Sequence, residues 1–587
     1  MKKIILIIIV AIIVALGIGA YFYFSSPPSQ PPELMPPTEK VGQCGDNICD
    51  KIEKANPNAC PADCLYVQSS QPPKSSSASA AISPPPSGSS SSNSSKQSPS
   101  SAAVPSSRSS NEVTKDSKTL NENSPFGFHP GNANNYAYIK DLGSFWSREG
   151  GYLRWEWVDA NRNGNFKFTK ATAPAIKELS VPSLEINYDE QWLNVPKNIN
   201  IVANVCPFAA GGKFLNSKEL LAYKDFVKKA VERYDGDEDY GCALQSPDCY
   251  HKGDSQYPNY KVIDTFKKNP IRYWQVCNQL NETCNGRDCP QTYAEKYAEV
   301  QETTYKAVKE ADGVASVLIA GDSQKEQYPD VFKELGGKYI DIIDFHRFGN
   351  NYNPKEDFDY LKSSLRSAGF DTSKLKFWMT EAGTYSGDPS SDPDKNLPYL
   401  SEKQQAEVLL KIYVSGLSYG IDKIFWAWNI VEGFTRDGGI FDYTGLVYDG
   451  CDYVNKKYEC GSNIGYDKGS GVKKLGYYTY KKMVEVLEGS DWNDIQTIQE
   501  KDGVYIYKFI KNGNLIWVAW NDNDAEKQIT ISNINSSSVK ITESVPNYSS
   551  GKDVKDYSTA FSTKTINVES GKVTITIKDA PVFVEED

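Results

Sequence analysis

Histidine is scarce in this chain: His129, His251 and His346 are the only three in 587 residues. So few, so widely spaced, form no paired-histidine metal motif, and a Ser or Cys nucleophile would still need one of them as its partner. No P-loop or dinucleotide fingerprint is present either. No long Lys/Arg block follows the first residues, and 64 basic against 75 acidic side chains leave a net charge of -11. That balance argues against nucleic acid or an anionic membrane surface as partner and favours a neutral ligand. Nothing here implies a metal or a cofactor.

Aromatic residues, in contrast, are plentiful, with 11 Trp and 37 Tyr. They suit a protein that stacks on flat ligands such as sugar rings, and they equally suit a large core. One long apolar run exists, from Ile4 to Phe24 behind Lys2 and Lys3. At ~20 residues per bilayer crossing it is long enough to span. A cleavable signal peptide would have a shorter apolar core and a small-residue cleavage pattern after it. The expectation is an uncleaved single-pass anchor in the cell membrane, with the bulk of the chain extracellular by the positive-inside rule. Twelve cysteines agree with that placement, because an even number of thiols on an exported chain reads as disulfides. They fall in even groups: Cys44, Cys49, Cys60 and Cys64; six from Cys206 to Cys289; and the local pair Cys451 and Cys460.

Composition then divides the chain. Residues 1–24 are the anchor, 25–41 a Pro-rich linker, and 42–65 a Cys-rich module too short for a core without disulfides. Residues 66–123 are Ser/Pro-rich with almost no large apolar side chains, the composition of a disordered stalk. From residue 124 to 490 apolar strands alternate with helical patterns. The strands expected are 126–129 (FGFH), 152–157 (YLRWEW), 182–188 (PSLEINY), 271–278 (IRYWQVCN), 316–322 (SVLIAGD), 340–346 (IDIIDFH), 375–381 (LKFWMTE) and 423–429 (KIFWAWN). Eight strands with amphipathic helices between them predict a (β/α)8 TIM barrel, whose site lies at the C-terminal strand ends. Residues 491–587 switch to short alternating strands parted by Gly/Asn/Asp turns, the pattern of an antiparallel β-sandwich. The fold class is therefore α/β: anchor and stalk, then barrel, then sandwich.

The strand ends, taken in order, carry Arg154, Asn278-Gln279, His346, Glu381 and the pair Trp426 and Trp428. YWQVCNQLN resembles the strand-four motif of clan A glycoside hydrolases, where Asn and Glu end the strand. FWMTEAG resembles their strand-seven nucleophile motif, and the likeness runs from about residue 124 to 587. The resemblance implies a retaining O-glycosyl hydrolase acting on an oligosaccharide or polysaccharide. In such enzymes one carboxylate attacks the anomeric carbon and a second, ~5 Å away, protonates the leaving oxygen. Carried over, Glu381 is the nucleophile, Asn278 bonds the 2-hydroxyl, and Arg154 holds Glu381 ionised. His346 meets the sugar or a carboxylate. At least one of Trp426 and Trp428 forms the floor under the sugar, the other being core.

Two residues depart from the family pattern. Gln279 stands where the acid/base glutamate belongs, and Phe348 where many members place a tyrosine. Three explanations follow. The donor comes from elsewhere, Glu282 and Glu156 being nearest in sequence; or the substrates have leaving groups that need no acid, as in plant myrosinases, which also carry Gln there; or the chain is a catalytically inactive pseudoenzyme that binds glycans. Cys277, beside Asn278, is expected to be disulfide-bonded, with Cys284 or Cys289 as partner. Asn281 opens a glycosylation sequon.

Overall fold

The computed structural model describes residues 122–131, 135–149, 152–173, 183–193, 195–207, 215–236, 269–280, 293–389, 397–454, 457–461 and 468–587. The expected anchor, Pro-rich linker, Cys-rich module and all of the stalk but residues 122 and 123 lie outside this set, as do Glu282, Cys284, Cys289 and the sequon. Among the described residues no helix is long and apolar enough to cross a membrane.

Eight parallel strands close into a barrel: β1 (Phe126–Gly131), β2 (Trp146–Glu149), β3 (Asn200–Cys206), β4 (Tyr273–Val276), β5 (Ser316–Leu318), β6 (Ile342–Phe348), β7 (Lys376–Gly383) and β8 (Lys423–Trp426). Each pairs with its neighbour in sequence, and β1 pairs with β8 (Phe126 against Ile424), so the sheet has no free edge. Among the described residues the helices that flank it include α1 (Tyr136–Leu142), α2 (Ser217–Tyr234), α3 (Tyr293–Ala311), α4 (Tyr328–Leu335), α5 (Lys355–Ser367), α6 (Glu402–Ser418) and α7 (Leu475–Leu487). Their starts are written in the sequence. Asn216 and Glu219 form a reciprocal capping box on α2, and Ser401 and Gln404 do the same on α6.

Two strands differ from expectation. The second lies at Trp146–Glu149, and residues 152–157 hold only a two-residue extension, Leu153–Arg154, followed by the helical turn Trp155–Val158. The third lies at Asn200–Cys206, whereas Leu184–Ile186 pairs with Ala171–Ala173 in a ribbon outside the barrel. Burial explains the difference: all seven residues of β3 are buried, while Leu184, Glu185 and Ile186 are half-buried or exposed.

Side chains alternate along a strand, so residues two apart share a face. Trp146, Val202, Leu318, Ile342, Trp378 and Phe425 form one apolar layer inside the barrel. Two residues further along, the interior turns polar with Arg148, Asn204, Gln275, Asp344 and Thr380, each 0% exposed. This step from oil to polar groups marks the end of the barrel where chemistry becomes feasible.

Eight antiparallel strands follow: β9 (Gln496–Lys501), β10 (Val504–Lys511), β11 (Asn514–Asn521), β12 (Lys527–Ser532), β13 (Ser538–Glu543), β14 (Thr563–Asn567), β15 (Lys572–Ile577) and β16 (Val582–Glu586). Six form a sheet in the order β9-β10-β11-β16-β13-β14, and β12 pairs with β15. One face of the six-stranded sheet (Tyr507, Phe509, Val518, Trp520, Phe583) joins the barrel's core, and the other (Ile506, Trp517, Ile541, Val584) packs on Ile529, Ile531 and Ile575. The sandwich is thus fused to the barrel by a shared hydrophobic layer. Its contact is sealed by Lys411 of α6, which donates to Asp522 at 2.9 Å, and by Trp520, whose indole N–H donates to the Tyr352 hydroxyl at 3.1 Å.

Candidate active site

Glu381 enters the barrel mouth because β7 carries a bulge. Trp378 pairs with Asp344 but Glu381 pairs with His346, so β7 spends three residues where β6 spends two. An extra residue of this kind re-aims a side chain. It lets adjacent Thr380 and Glu381 both reach buried partners, at 0% and 1% exposure.

Arg148 organises the centre. Its Nη1 donates to Glu381 Oε1 at 2.6 Å, Nη2 to Asn278 Oδ1 at 2.5 Å, and Nε to Gln275 Oε1 at 2.7 Å. One planar fork therefore ties the β4 end to the β7 carboxylate, as a guanidinium does and an ammonium does not. Gln275 in turn donates to Asp344 Oδ2. Asn204 donates to the Cys277 carbonyl at 2.6 Å.

Two imidazoles flank the carboxylate: His129 Nε2 lies 3.5 Å from Oε1 and His346 Nδ1 3.3 Å from Oε2. Burial, followed by the charge of Arg148, pushes both rings well below the usual histidine range, so both are neutral near pH 7. Burial also pushes the Asp344 carboxyl up to about 7, against Arg148 and the Thr380 donors, which pull it down.

Asn278 and Gln279 are set by a disulfide. Cys206, the last residue of β3, is bonded to Cys277, with Cα atoms 4.7 Å apart. This replaces the expected Cys284 or Cys289 partner, because the adjacent strands β3 and β4 bring those two Cβ atoms together. Cys451 and Cys460 form the local pair that their spacing suggested. Gln279 is half-buried and bridges to Gly321 beyond β5.

The rim is aromatic. Trp428 lies edge-on to His129 at 4.6 Å and is stacked on Phe434 at 4.6 Å, while Phe441 meets both Trp428 (6.0 Å) and Phe348 (5.1 Å). The indole N–H of Trp428 has no hydrogen-bond partner among the described residues. Trp426 is 0% exposed and donates to the Thr444 carbonyl at 3.0 Å, so it is a core residue.

No family model matches the sequence, and no curated protein matches it. Solved structures are similar. They include a glucosidase from Croceicoccus marinus, at 10% identity and TM-score 0.47 over 79% of this chain and 95% of that one. A GH51 α-L-arabinofuranosidase from Thermotoga petrophila is 13% identical, with TM-score 0.48 over 80% and 93%. A GH39 β-xylosidase from Caulobacter crescentus is 12% identical, with TM-score 0.46 over 78% and 91%. The barrel itself rests on the closed strand register, and the chemistry of the mouth on the residues that line it.

Of the residues singled out from the sequence, Glu381, Asn278 and His346 converge within one network. Arg154 does not hold Glu381. Strand β2 ends at Glu149, and Arg154 belongs to the extension beyond it, paired with Cys206 and with its guanidinium over the Tyr152 ring at 4.7 Å. The cation on Glu381 is Arg148, six residues earlier. Glu156 lies in the turn after Arg154, half-buried, with its backbone N–H on the Pro207 carbonyl. His129, Arg148, Gln275, Asp344 and Thr380 were not foreseen. For His129 a signal existed, since it ends the expected strand at 126–129. For the rest it lay in the two-residue spacing from the aromatic layer, readable only once β2 was in register.

Proposed function

We propose that the protein is a retaining glycosidase acting on O-glycosides at this mouth, with Glu381 as nucleophile and Gln279 where a proton donor would stand. The observation that carries the reading is the Arg148 fork, which clamps Glu381 Oε1 and Asn278 Oδ1 on one guanidinium. Burying a carboxylate is costly unless it is paired, and here the pairing points a nucleophile at the same opening as the residue suited to bond the 2-hydroxyl. Trp428, backed by Phe434, offers a ring for the sugar.

In the first step a Glu381 oxygen attacks the anomeric carbon as the bond to the leaving oxygen breaks. With an amide at residue 279 that oxygen departs as an anion. Water then attacks the glycosyl ester from the opposite face, frees the Glu381 carboxylate and yields its proton to solvent, and two inversions retain the configuration. The missing acid/base assistance is worth about 10²- to 10⁴-fold, so the substrates that turn over are those whose leaving groups are stable anions. The bonded Cys206–Cys277 and Cys451–Cys460 pairs support an oxidising, extracellular location for the barrel, with the run from Ile4 to Phe24 as its anchor.

A second reading, glycan binding without turnover, is favoured by Gln279 itself, since an amide keeps both a donor and an acceptor for a sugar hydroxyl. Hydrolysis of activated and unactivated aryl glycosides by the wild type, Gln279→Glu and Glu381→Gln separates the two. Turnover of activated members alone, extended by Gln279→Glu and abolished by Glu381→Gln, is the expected result. Binding without cleavage by the wild type and by Gln279→Glu would leave the receptor reading.

A further inference from the structure

Strand β8 ends at Trp426, and the chain beyond it stays tied to both neighbouring strands. The Ala427 N–H donates to the Ala382 carbonyl of β7 at 3.0 Å, and the Asn429 N–H donates to the His129 carbonyl of β1 at 2.9 Å. Trp428, between them, has its N–H and its carbonyl on one side chain instead. The Thr444 hydroxyl accepts the Trp428 N–H at 2.9 Å and lies 3.2 Å from the Trp428 carbonyl and 3.3 Å from the Phe441 carbonyl. A hydroxyl has one hydrogen and two lone pairs. Having accepted from Trp428, it gives its hydrogen to one or other carbonyl, so a single Oγ1 joins the backbones of two rim aromatics whose rings lie 6.0 Å apart.

Thr444 is itself held. It is 0% exposed, and its carbonyl accepts the Trp426 indole N–H at 3.0 Å and the Gln405 side-chain amide at 3.2 Å. Gln405, in α6 and also 0% exposed, donates to the Thr384 carbonyl at 3.1 Å, one residue past the β7 end that carries Glu381. One buried amide thus references both parts of the mouth, the Trp428 ring through Thr444 and the Glu381 carboxylate through Thr384.

We propose that Thr444 is a positioning residue for substrate binding, whose hydroxyl sets the Trp428 ring against the sugar and so controls affinity without touching the substrate. Holding both polar groups of Trp428 fixes its φ and ψ, on which the side-chain rotamer depends. Phe434, stacked on the ring at 4.6 Å, completes the constraint. The residue type follows from the geometry. A backbone N–H and a backbone carbonyl side by side beyond a strand end need a partner that both accepts and donates, and a Ser or Thr hydroxyl does this from one atom. Valine has the same shape and neither capacity, so a space-filling role would be served by it equally well. The effect on affinity rests on the reading of Trp428 as the ring under the sugar; the constraint on Trp428 does not.

The test compares, in the intact protein, Thr444→Val, which deletes the hydroxyl and keeps the carbonyl used by Trp426 and Gln405, with Thr444→Ser, which keeps both. Thr444→Ala replaces Thr444→Val if the latter does not fold. Dinitrophenyl glycosides of the common hexoses and pentoses are the probes, with KM and kcat read separately for the one that the wild type cleaves fastest. Binding of the same probes is followed by fluorine NMR of fluorotryptophan-labelled protein, the Trp428 signal being the one lost in Trp428→Phe. Thr444→Val is expected to raise KM about tenfold with kcat within about twofold, as when uniform binding is lost, and to move the Trp428 signal. Thr444→Ser should restore both. On a Trp428→Ala background Thr444→Val should change KM no further, because a residue that acts through the ring has nothing left to act on. A wild-type KM in Thr444→Val, an effect that persists on the Trp428→Ala background, or no recovery in Thr444→Ser overturns the proposal. So does a panel that is neither cleaved nor able to move the Trp428 signal of the wild type. If the probes bind uncleaved, weaker binding in Thr444→Val that recovers in Thr444→Ser upholds Thr444 while the nucleophile reading fails.

Discussion

Arg148 and Glu381 meet at 2.6 Å with neither side chain more than 1% exposed. A charge pair this deep depends on both members, since removal of one strands the other. Arg148→Met is expected to cost about 3–5 kcal/mol, read as a lower urea midpoint, and to abolish turnover. An unchanged midpoint would mean that Glu381 finds its counter-charge elsewhere.

Gly321 makes room for His346. A Cβ at residue 321 would stand 2.1 Å from His346 Nε2 and 2.7 Å from Asp344 Oδ2, with no flexible chain end to give way. Gly321→Ala is therefore expected to displace the imidazole, lower stability by about 1–3 kcal/mol and reduce activity, as checked by thermal melting and glycoside assay. Wild-type melting together with wild-type activity would show that His346 is free to move.

Glu149, next to Arg148, sets a pH dependence of stability. Burial raises its carboxyl from 4.5 to about 7, against the Tyr136 hydroxyl, which donates to both of its oxygens at 3.0 Å. A raised folded-state value means that the folded protein holds the proton more tightly. The stabilisation is full below about 4.5 and disappears as pH rises through about 7. It amounts to about 3 kcal/mol. Denaturation of wild type and Glu149→Gln at about pH 4 and about pH 8 should show the difference between them changing by that order; a constant difference would show that Glu149 titrates normally.

The parts of the fold that could be read from the sequence are those in which pattern and burial coincide. β7 and β8 carry the apolar runs FWM and IFW, all buried, and the capping residues Asn216 and Ser401 announce α2 and α6. β2 was missed because its four residues, WSRE, are all buried yet half of them are charged. Nothing in their polarity marks them as interior; only the pairing of Arg148 with Glu381, 233 residues away, makes them so. The same gap misassigned the cation to Arg154. Glu381 was found by motif, but alternation alone would have placed Thr380 inside and Glu381 outside, because the β7 bulge is a feature of pairing and leaves no mark in composition.

The two described disulfides should differ in worth. Cys206–Cys277 spans 71 residues and Cys451–Cys460 only nine. A chain-entropy account gives about 4 and about 2.5 kcal/mol. The first also fixes the residue before Asn278. Cys206→Ala with Cys277→Ala is expected to lower the urea midpoint more than Cys451→Ala with Cys460→Ala, and only the first pair should impair binding or turnover. Equal losses of function would mean that Asn278 is positioned by Arg148 alone.

The closure of β1 on β8 is also a statement about time. Lys423, at the start of β8, donates to the Ser124 carbonyl at 3.0 Å and to the Glu122 carbonyl at 2.6 Å, the latter 301 residues earlier in the chain. At about 5–20 residues per second of synthesis, β1 waits at least about 15 seconds for its partner. Until then its hydrogen-bonding edge is open, and Phe126 and Phe128 lack the strand that will cover them. The nascent chain therefore passes through a long interval as an incomplete sheet, when a chaperone has most to offer and aggregation most to gain.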